Sequence, residues 1–191
     1  MNKTWEKTYS GITSRNKNMY PNEDLVSFIN RNFEKKCNLK VLDLGCGWGN
    51  NLKFMSDYGL NVYGIEQSKT AYNYCKKKFR NVFNDNFSNL TKFNDNFFDI
   101  IIDRQSLQHN NRSEILKIIF EINRVLKPKG ILYSHLICKA NYNYLTYYFT
   151  KEKIKTMFNA LRIINLIKIK RSSLIKKNND LSYFILEAQK K

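Results

Sequence analysis

The sequence predicts an α/β domain in which a mostly parallel sheet is covered by helices. Two observations carry that prediction: apolar runs of strand length alternate with segments of helical period, and closely spaced glycines stand where the first strong strand gives way to a helix. The 191 residues suit one domain around a single core.

Leu25, Phe28, Ile29 and Phe33 recur at helical spacing after Pro21-Asn22 and give a first helix, and Leu39 to Leu44 then reads as a buried strand. A helix over Asn50 to Tyr58 leads to a second strand, Asn61 to Glu66. Ser68 caps a helix through Phe79, and Arg80 to Asn84 is a short third strand. Phe97 to Ile102 makes the fourth. Ser113 is read as the cap of a helix whose Ile115, Ile118, Ile119, Ile122 and Val125 share one face, and Lys127-Pro128-Lys129-Gly130 ends it before a fifth strand, Ile131 to Leu136. Beyond a tyrosine-rich connection, Asn141 to Phe149, Thr150 caps a helix carrying Ile154, Met157, Phe158 and Leu161. Ile163 to Ile169 and Ser182 to Glu187 are close enough to finish the sheet as an antiparallel pair.

At 42% hydrophobic and 14% aromatic residues the chain is too apolar for disorder, and it has no run of membrane-spanning length. The polar start, Met1 to Lys7, lacks the apolar stretch of a secretory signal, so a cytoplasmic location is expected. Cys37, Cys46, Cys75 and Cys138 show no C-x-x-C pair and read as reduced thiols. With only His109 and His135 beside them, no metal site is expected. The net charge of +17 comes from lysines scattered along the chain rather than gathered in a patch, which argues against a dedicated nucleic-acid site.

The chemistry lies in Val41-Leu42-Asp43-Leu44-Gly45-Cys46-Gly47-Trp48-Gly49-Asn50. Bare backbone there lets a ligand approach the carboxyl edge of the sheet, and Glu66, ending the second strand, is placed to accept both hydroxyls of a ribose. A dinucleotide site would carry a third glycine at the place of Asn50, so pyrophosphate binding is disfavoured. This segment, with Val62 to Ser68, Asp85, Phe98-Asp99-Ile100-Ile101 and Glu121 to Gly130 in the same order and spacing, resembles the class I methyltransferases that use S-adenosylmethionine. The resemblance implies a Rossmann-like, seven-stranded, mostly parallel sheet with helices on both faces and an antiparallel last strand. It also divides the chain into an N-terminal helical cover (1–36), a cofactor-binding core (37–136) and an acceptor-side connection with the last helix and strands (137–191).

Carried over residue by residue, the resemblance sets Gly45, Gly47 and Gly49 against the methionine and ribose portions, with Asp43 ordering the turn. Cys46 belongs to the turn by position, its side chain reading as small packing. Glu66, with Gln67 beside it, would hold the ribose, and Asp85, Asn86 and Phe87 would meet the adenine; an ordinary turn is the other reading of Asp85. Asp103, leaving the fourth strand, joins the cofactor set. Trp5 and Tyr9 resemble a W-x-x-x-Y opening that folds over the cofactor, or else pack the first helix.

The stretch Asp103-Arg104-Gln105-Ser106-Leu107-Gln108-His109 is similar, in its D-R-x-x-L pattern, to thiopurine-type and certain bacterial small-molecule methyltransferases. Arg104 reads either as a fork for an anionic acceptor or as a surface arginine paired with Asp103, and His109 either as a general base or as a local hydrogen-bond anchor. The expected function is methyl transfer to a small-molecule hydroxyl, a sugar or nucleotide-linked precursor being the acceptor class the resemblance suggests. RNA or protein methylation and a non-catalytic cofactor-binding module stand as alternatives.

Overall fold

The computed structural model describes residues 3–11, 20–140, 146–171 and 181–191. Its strands order as β3-β2-β1-β4-β5-β7-β6 in a seven-stranded sheet, the architecture the resemblance implies. Contacts divide the chain into two compact units, Met1–Phe87 and Ser88–Lys191.

In the first unit β1 (Lys40–Leu44), β2 (Asn61–Ile65) and β3 (Val82–Phe83) run parallel, with Asp43 opposite Gly64 and Ile65 opposite Phe83. Among the described residues four α-helices accompany them: α1 (Lys3–Ser10), α2 (Glu23–Asn32), α3 (Asn50–Tyr58) and α4 (Lys69–Lys76). The caps follow from chemistry legible in the chain. Asn22 accepts from the Leu25 N–H at 3.1 Å and Ser68 from that of Ala71 at 3.3 Å, each satisfying a donor the helix leaves over. Gly59 ends α3 at φ 101°, where a Cβ would stand 2.6 Å from the Lys36 Cα, so no other residue fits without moving backbone. α4 stops three residues short of the predicted Phe79. Lys76 Nζ donates to the Arg80 carbonyl at 2.6 Å and closes the last turn ahead of two further lysines.

The second unit holds β4 (Phe98–Arg104), α5 (Arg112–Val125), β5 (Leu126–Lys139), α6 (Lys151–Met157), β6 (Leu161–Arg171) and β7 (Leu181–Lys190). β4 and β5 are parallel, whereas β7 is antiparallel to both β5 and β6. The start of α5 corrects the sequence reading: Asn111, not Ser113, is the cap. Its side chain accepts from the Glu114 N–H at 3.0 Å and the Glu114 carboxylate accepts from the Asn111 N–H at 3.3 Å, a reciprocal capping box. Strand β5 begins at Leu126 rather than Ile131, because Leu126 pairs with Phe98 before a register shift absorbs the Pro128–Gly130 stretch.

Arg124, near the end of α5, ties down the chain ahead of β4. Its guanidinium donates to the carbonyls of Leu90 and Phe93 (both 3.0 Å), to Glu121 (2.9 Å) and to Asp95 (2.7 Å), while the Leu90 N–H donates to Glu121 at 2.9 Å. The buried apolar core includes Val41, Leu42, Leu52 and Ile65 in the first unit, and Ile100 to Ile102, Ile118, Ile122 and Leu186 in the second.

Candidate functional site

The glycine turn begins where β1 ends, and its conformation is one that side chains resist. Gly45, Gly47 and Gly49 have φ of 70°, 54° and 78°. A Cβ on Gly47 would lie 2.7 Å from the Tyr9 hydroxyl, and one on Gly49 would lie 2.8 Å from the Cys75 sulfur. Four of the turn's N–H groups have partners within the chain. Those of Gly45 and Cys46 donate to the Ile65 carbonyl (2.9 and 3.0 Å), that of Gly49 to the Cys46 carbonyl (2.9 Å), and that of Gly47 to Glu66 Oε2 at 2.8 Å. Asp43 is buried at the end of β1 and Cys46 is buried in the turn, where a hydrogen bond with Cys75 and burial push its thiol well above the usual range. Cys75 Sγ in turn donates to the Gly47 carbonyl at 3.0 Å.

Glu66 is 4% exposed and bridges two elements, its second oxygen accepting from the Ser68 N–H at 2.7 Å. Burial raises its pKa, and the backbone donors work in the opposite direction. Asn84, after β3, donates its amide to the carbonyls of Glu66 (2.8 Å) and Gln67 (3.1 Å), which fixes the end of β2 to the segment that follows β3. That segment is Asp85-Asn86-Phe87: Asp85 Oδ1 accepts from the Asn86 N–H at 2.7 Å, and Phe87 is buried. Helix α1 lies on the same unit. Glu6 accepts from the hydroxyls of Ser68 (2.9 Å) and Thr70 (2.5 Å), contacts that lower its pKa, and the Tyr9 ring meets Trp48 edge-on at 5.2 Å. Burial and the nearby Glu66 charge raise the Tyr9 phenol.

In the second unit the predicted loop is organised by its first residue. Asp103 is fully buried, with Oδ1 accepting from the N–H groups of Ser106 (2.9 Å) and Leu107 (3.0 Å) and Oδ2 from the Ser134 hydroxyl (2.5 Å). Burial outweighs these bonds and pushes its pKa up to about 6. Gln105 turns left-handed at φ 59°, a strained position for a residue with a Cβ, and the chain enters a single 3₁₀ turn, Leu107–His109. Asp103 is therefore engaged with its own loop, and Arg104 makes no ion pair among the described residues and is exposed. His109 is half-buried, its N–H donating to the Ser106 carbonyl at 3.2 Å. The connection after β5 is pinned beside it: the Tyr147 N–H donates to the Gln108 carbonyl (2.7 Å) and that of Phe149 to Ile137 (2.9 Å).

Residues 42–134 match the family described as a methyltransferase domain. That match, just under half of the chain, supports a class I methyltransferase that uses S-adenosylmethionine. It is 30% identical over 117 residues to the cyclopropane-fatty-acyl-phospholipid synthase of Escherichia coli K12, an alignment that covers 59% of this chain and 30% of that protein. The chain thus spans under a third of that relative's length. Among solved structures it is similar to an S-adenosylmethionine-dependent methyltransferase of Methanosarcina mazei (TM-score 0.71, 18% identity, 90% of this chain and 98% of that one). It is also similar to the 1,6-didemethyltoxoflavin-N1-methyltransferase of Burkholderia thailandensis, solved with its acceptor and S-adenosylhomocysteine (TM-score 0.69, 16% identity, 88% and 77%).

S-adenosylmethionine is the cofactor that the family match supports, and the first unit of this chain suits it. A turn whose amides are engaged internally offers little to a phosphate, whereas the Glu66 carboxylate suits an uncharged ribose. Gly45, Gly47 and Gly49 would lie along it, Glu66 would take the ribose hydroxyls, and Asp85 with Phe87 would take the base. Two contributors escaped the sequence reading. Glu6, which fastens α1 to α4, has no local signature. His135 does have one, since a lone imidazole stands in the apolar strand run Leu132 to Ile137 two residues from Tyr133. Among the described residues no helix is long and apolar enough to cross a membrane, and no cluster of metal-ligating side chains occurs.

Proposed function

We propose that this domain transfers a methyl group from S-adenosylmethionine to a hydroxyl of a small-molecule acceptor. The observation that supports this reading best is the engagement of Asp103 by Ser134, Ser106 and Leu107. It leaves the Arg104 guanidinium at the carboxyl end of β4 without a carboxylate partner among the described residues, five positions before His109. The cofactor supplies an electrophilic methyl on a sulfonium. The chain's own tasks are to align the acceptor, to exclude water and, for a hydroxyl that keeps its proton, to remove it. Arg104 orients the acceptor in this reading, and the His109 imidazole takes the proton.

A lysate that has been incubated with methyl-labelled S-adenosylmethionine and the purified protein, then separated into small molecules, RNA and protein, tests it. Label is expected in the small-molecule fraction, stable to mild base as an ether is. Label in RNA or protein, a base-labile ester, or no transfer at all would overturn the assignment.

A further inference from the structure

The second unit contains a charged constellation that methyl transfer does not by itself require. In the β4–β5 register Arg104 stands opposite His135, and His135 stands opposite Ile185 of β7. Side chains alternate between faces, so Arg104, Tyr133, His135 and Tyr183 rise from one face, and Arg171, opposite Leu181, belongs to it as well. His135 is 1% exposed, its Nε2 shares a hydrogen bond of 2.7 Å with the Tyr133 hydroxyl, and its ring stacks on Tyr183 at 5.0 Å and 21°. The Arg171 guanidinium lies 6.0 Å from the centre of the Tyr183 ring.

We infer that Arg104 and Arg171, set around the Tyr133–His135–Tyr183 floor, form an oxyanion-binding subsite that takes the carboxylate or phosphate of the methyl acceptor. The inference rests on the small-molecule reading above and narrows it to anionic acceptors. Arg104 stands opposite His135 in the register and Arg171 lies over the Tyr183 ring stacked on it, and burial together with Arg104 and Arg171 pushes the pKa of His135 down to about 3. Glu187, the carboxylate opposite Tyr133 on this face, accepts from Asn165 at 3.5 Å and is not among the charges acting on the imidazole. A neutral aromatic floor lets two like charges gather without adding a third, and guanidinium forks match the planar or tetrahedral oxygens of carboxylates and phosphates.

Linkage makes the subsite readable. An anion bound between the arginines must raise the His135 pKa by the same free energy with which protonation favours the anion. The chain has two histidines, so imidazole NMR resolves the ring directly, with His109→Asn used for assignment. Benzoate, phenyl phosphate and neutral benzamide are titrated into the full-length protein saturated with S-adenosylhomocysteine, whose own binding is measured separately.

Saturable shifts of His135 with benzoate or phenyl phosphate and none with benzamide are expected, the tighter of the two anions naming the group. Arg104→Gln and Arg171→Gln, both at exposed positions, should each weaken the anion about tenfold or more. Absence of any saturable shift while S-adenosylhomocysteine binds, equal binding of benzamide, or anion affinity unchanged in both variants would overturn the subsite. Each of those results leaves the methyltransferase reading standing; in this experiment it is failure to bind S-adenosylhomocysteine that counts against that reading.

Discussion

At the scale of single residues, Asp103 shows how burial and hydrogen bonding contend. Its pKa lies near 6 against an ordinary 3.8, so the native state holds a proton that the unfolded chain has released between about pH 4 and 6. The sign follows: this group favours the fold at low pH, and the advantage is lost as pH rises through that window, by an amount on the order of 2–3 kcal/mol. Asp103→Asn keeps an acceptor for Ser106 and Leu107 and offers an amide to Ser134. Urea unfolding should therefore show a stability that falls from pH 4 to 6 more steeply in the natural protein than in the variant. Equal slopes would remove Asp103 as the cause. Glu66 is the second informative residue. Glu66→Ala takes away a charged acceptor from Gly47 and Ser68 and should weaken S-adenosylhomocysteine by roughly 1–3 kcal/mol in a calorimetric titration. An unchanged dissociation constant would take Glu66 out of the cofactor site. Both carboxylates are legible in the sequence because each ends a strand next to a turn. His135 stands out in the sequence as a lone imidazole in an apolar run, but its place beside Arg104 does not, because only the pairing of β4 with β5 brings the two opposite each other.

Elements are held by a few polar staples, and these divide into those a sequence reveals and those it conceals. The Asn22, Ser68 and Thr150 caps are local, each side chain bonding an N–H three residues on, and are read directly. The start of α5 lies two residues before the position the sequence suggests, because Asn111 and Ser113 are both capping types and the Glu114 partner that decides between them lies at the capping-box distance from Asn111 alone. Arg124 is a staple between distant segments. Arg124→Lys replaces a planar fork with one ammonium, which cannot serve the Leu90 and Phe93 carbonyls and Glu121 together, and should lower stability by roughly 2 kcal/mol in urea. A loss below a few tenths of a kcal/mol would make the staple incidental. Glu6→Ala removes the bonds to Ser68 and Thr70, so α1 should exchange its amide hydrogens faster while α3 and β1 keep their protection. Equal exchange in α1 would mean that Tyr9 and Trp48 suffice to hold it.

For the whole molecule, the strand order was within reach of the sequence because the glycine turn, Glu66 and the Glu121 to Gly130 segment occur in a fixed succession. The acceptor was not, since it depends on which side chains share a face after folding. The +17 charge belongs to this scale too. Dispersed lysines repel one another, so modest salt should raise the melting temperature, and any affinity for unspecific RNA should be weak by about 0.2 M salt. Tight, sequence-selective RNA binding at that salt would point to a focused site instead. The engaged amides of the glycine turn bear on how the protein fares among the nucleotides of a cell. ADP and ATP share the ribose and base of S-adenosylmethionine, which in the proposed reading the first unit takes, yet their phosphates would meet N–H groups already engaged with Ile65, Cys46 and Glu66, beside a carboxylate that repels them. Millimolar ADP should leave bound S-adenosylhomocysteine in place, so methylation would run without inhibition by the energy state of the cell.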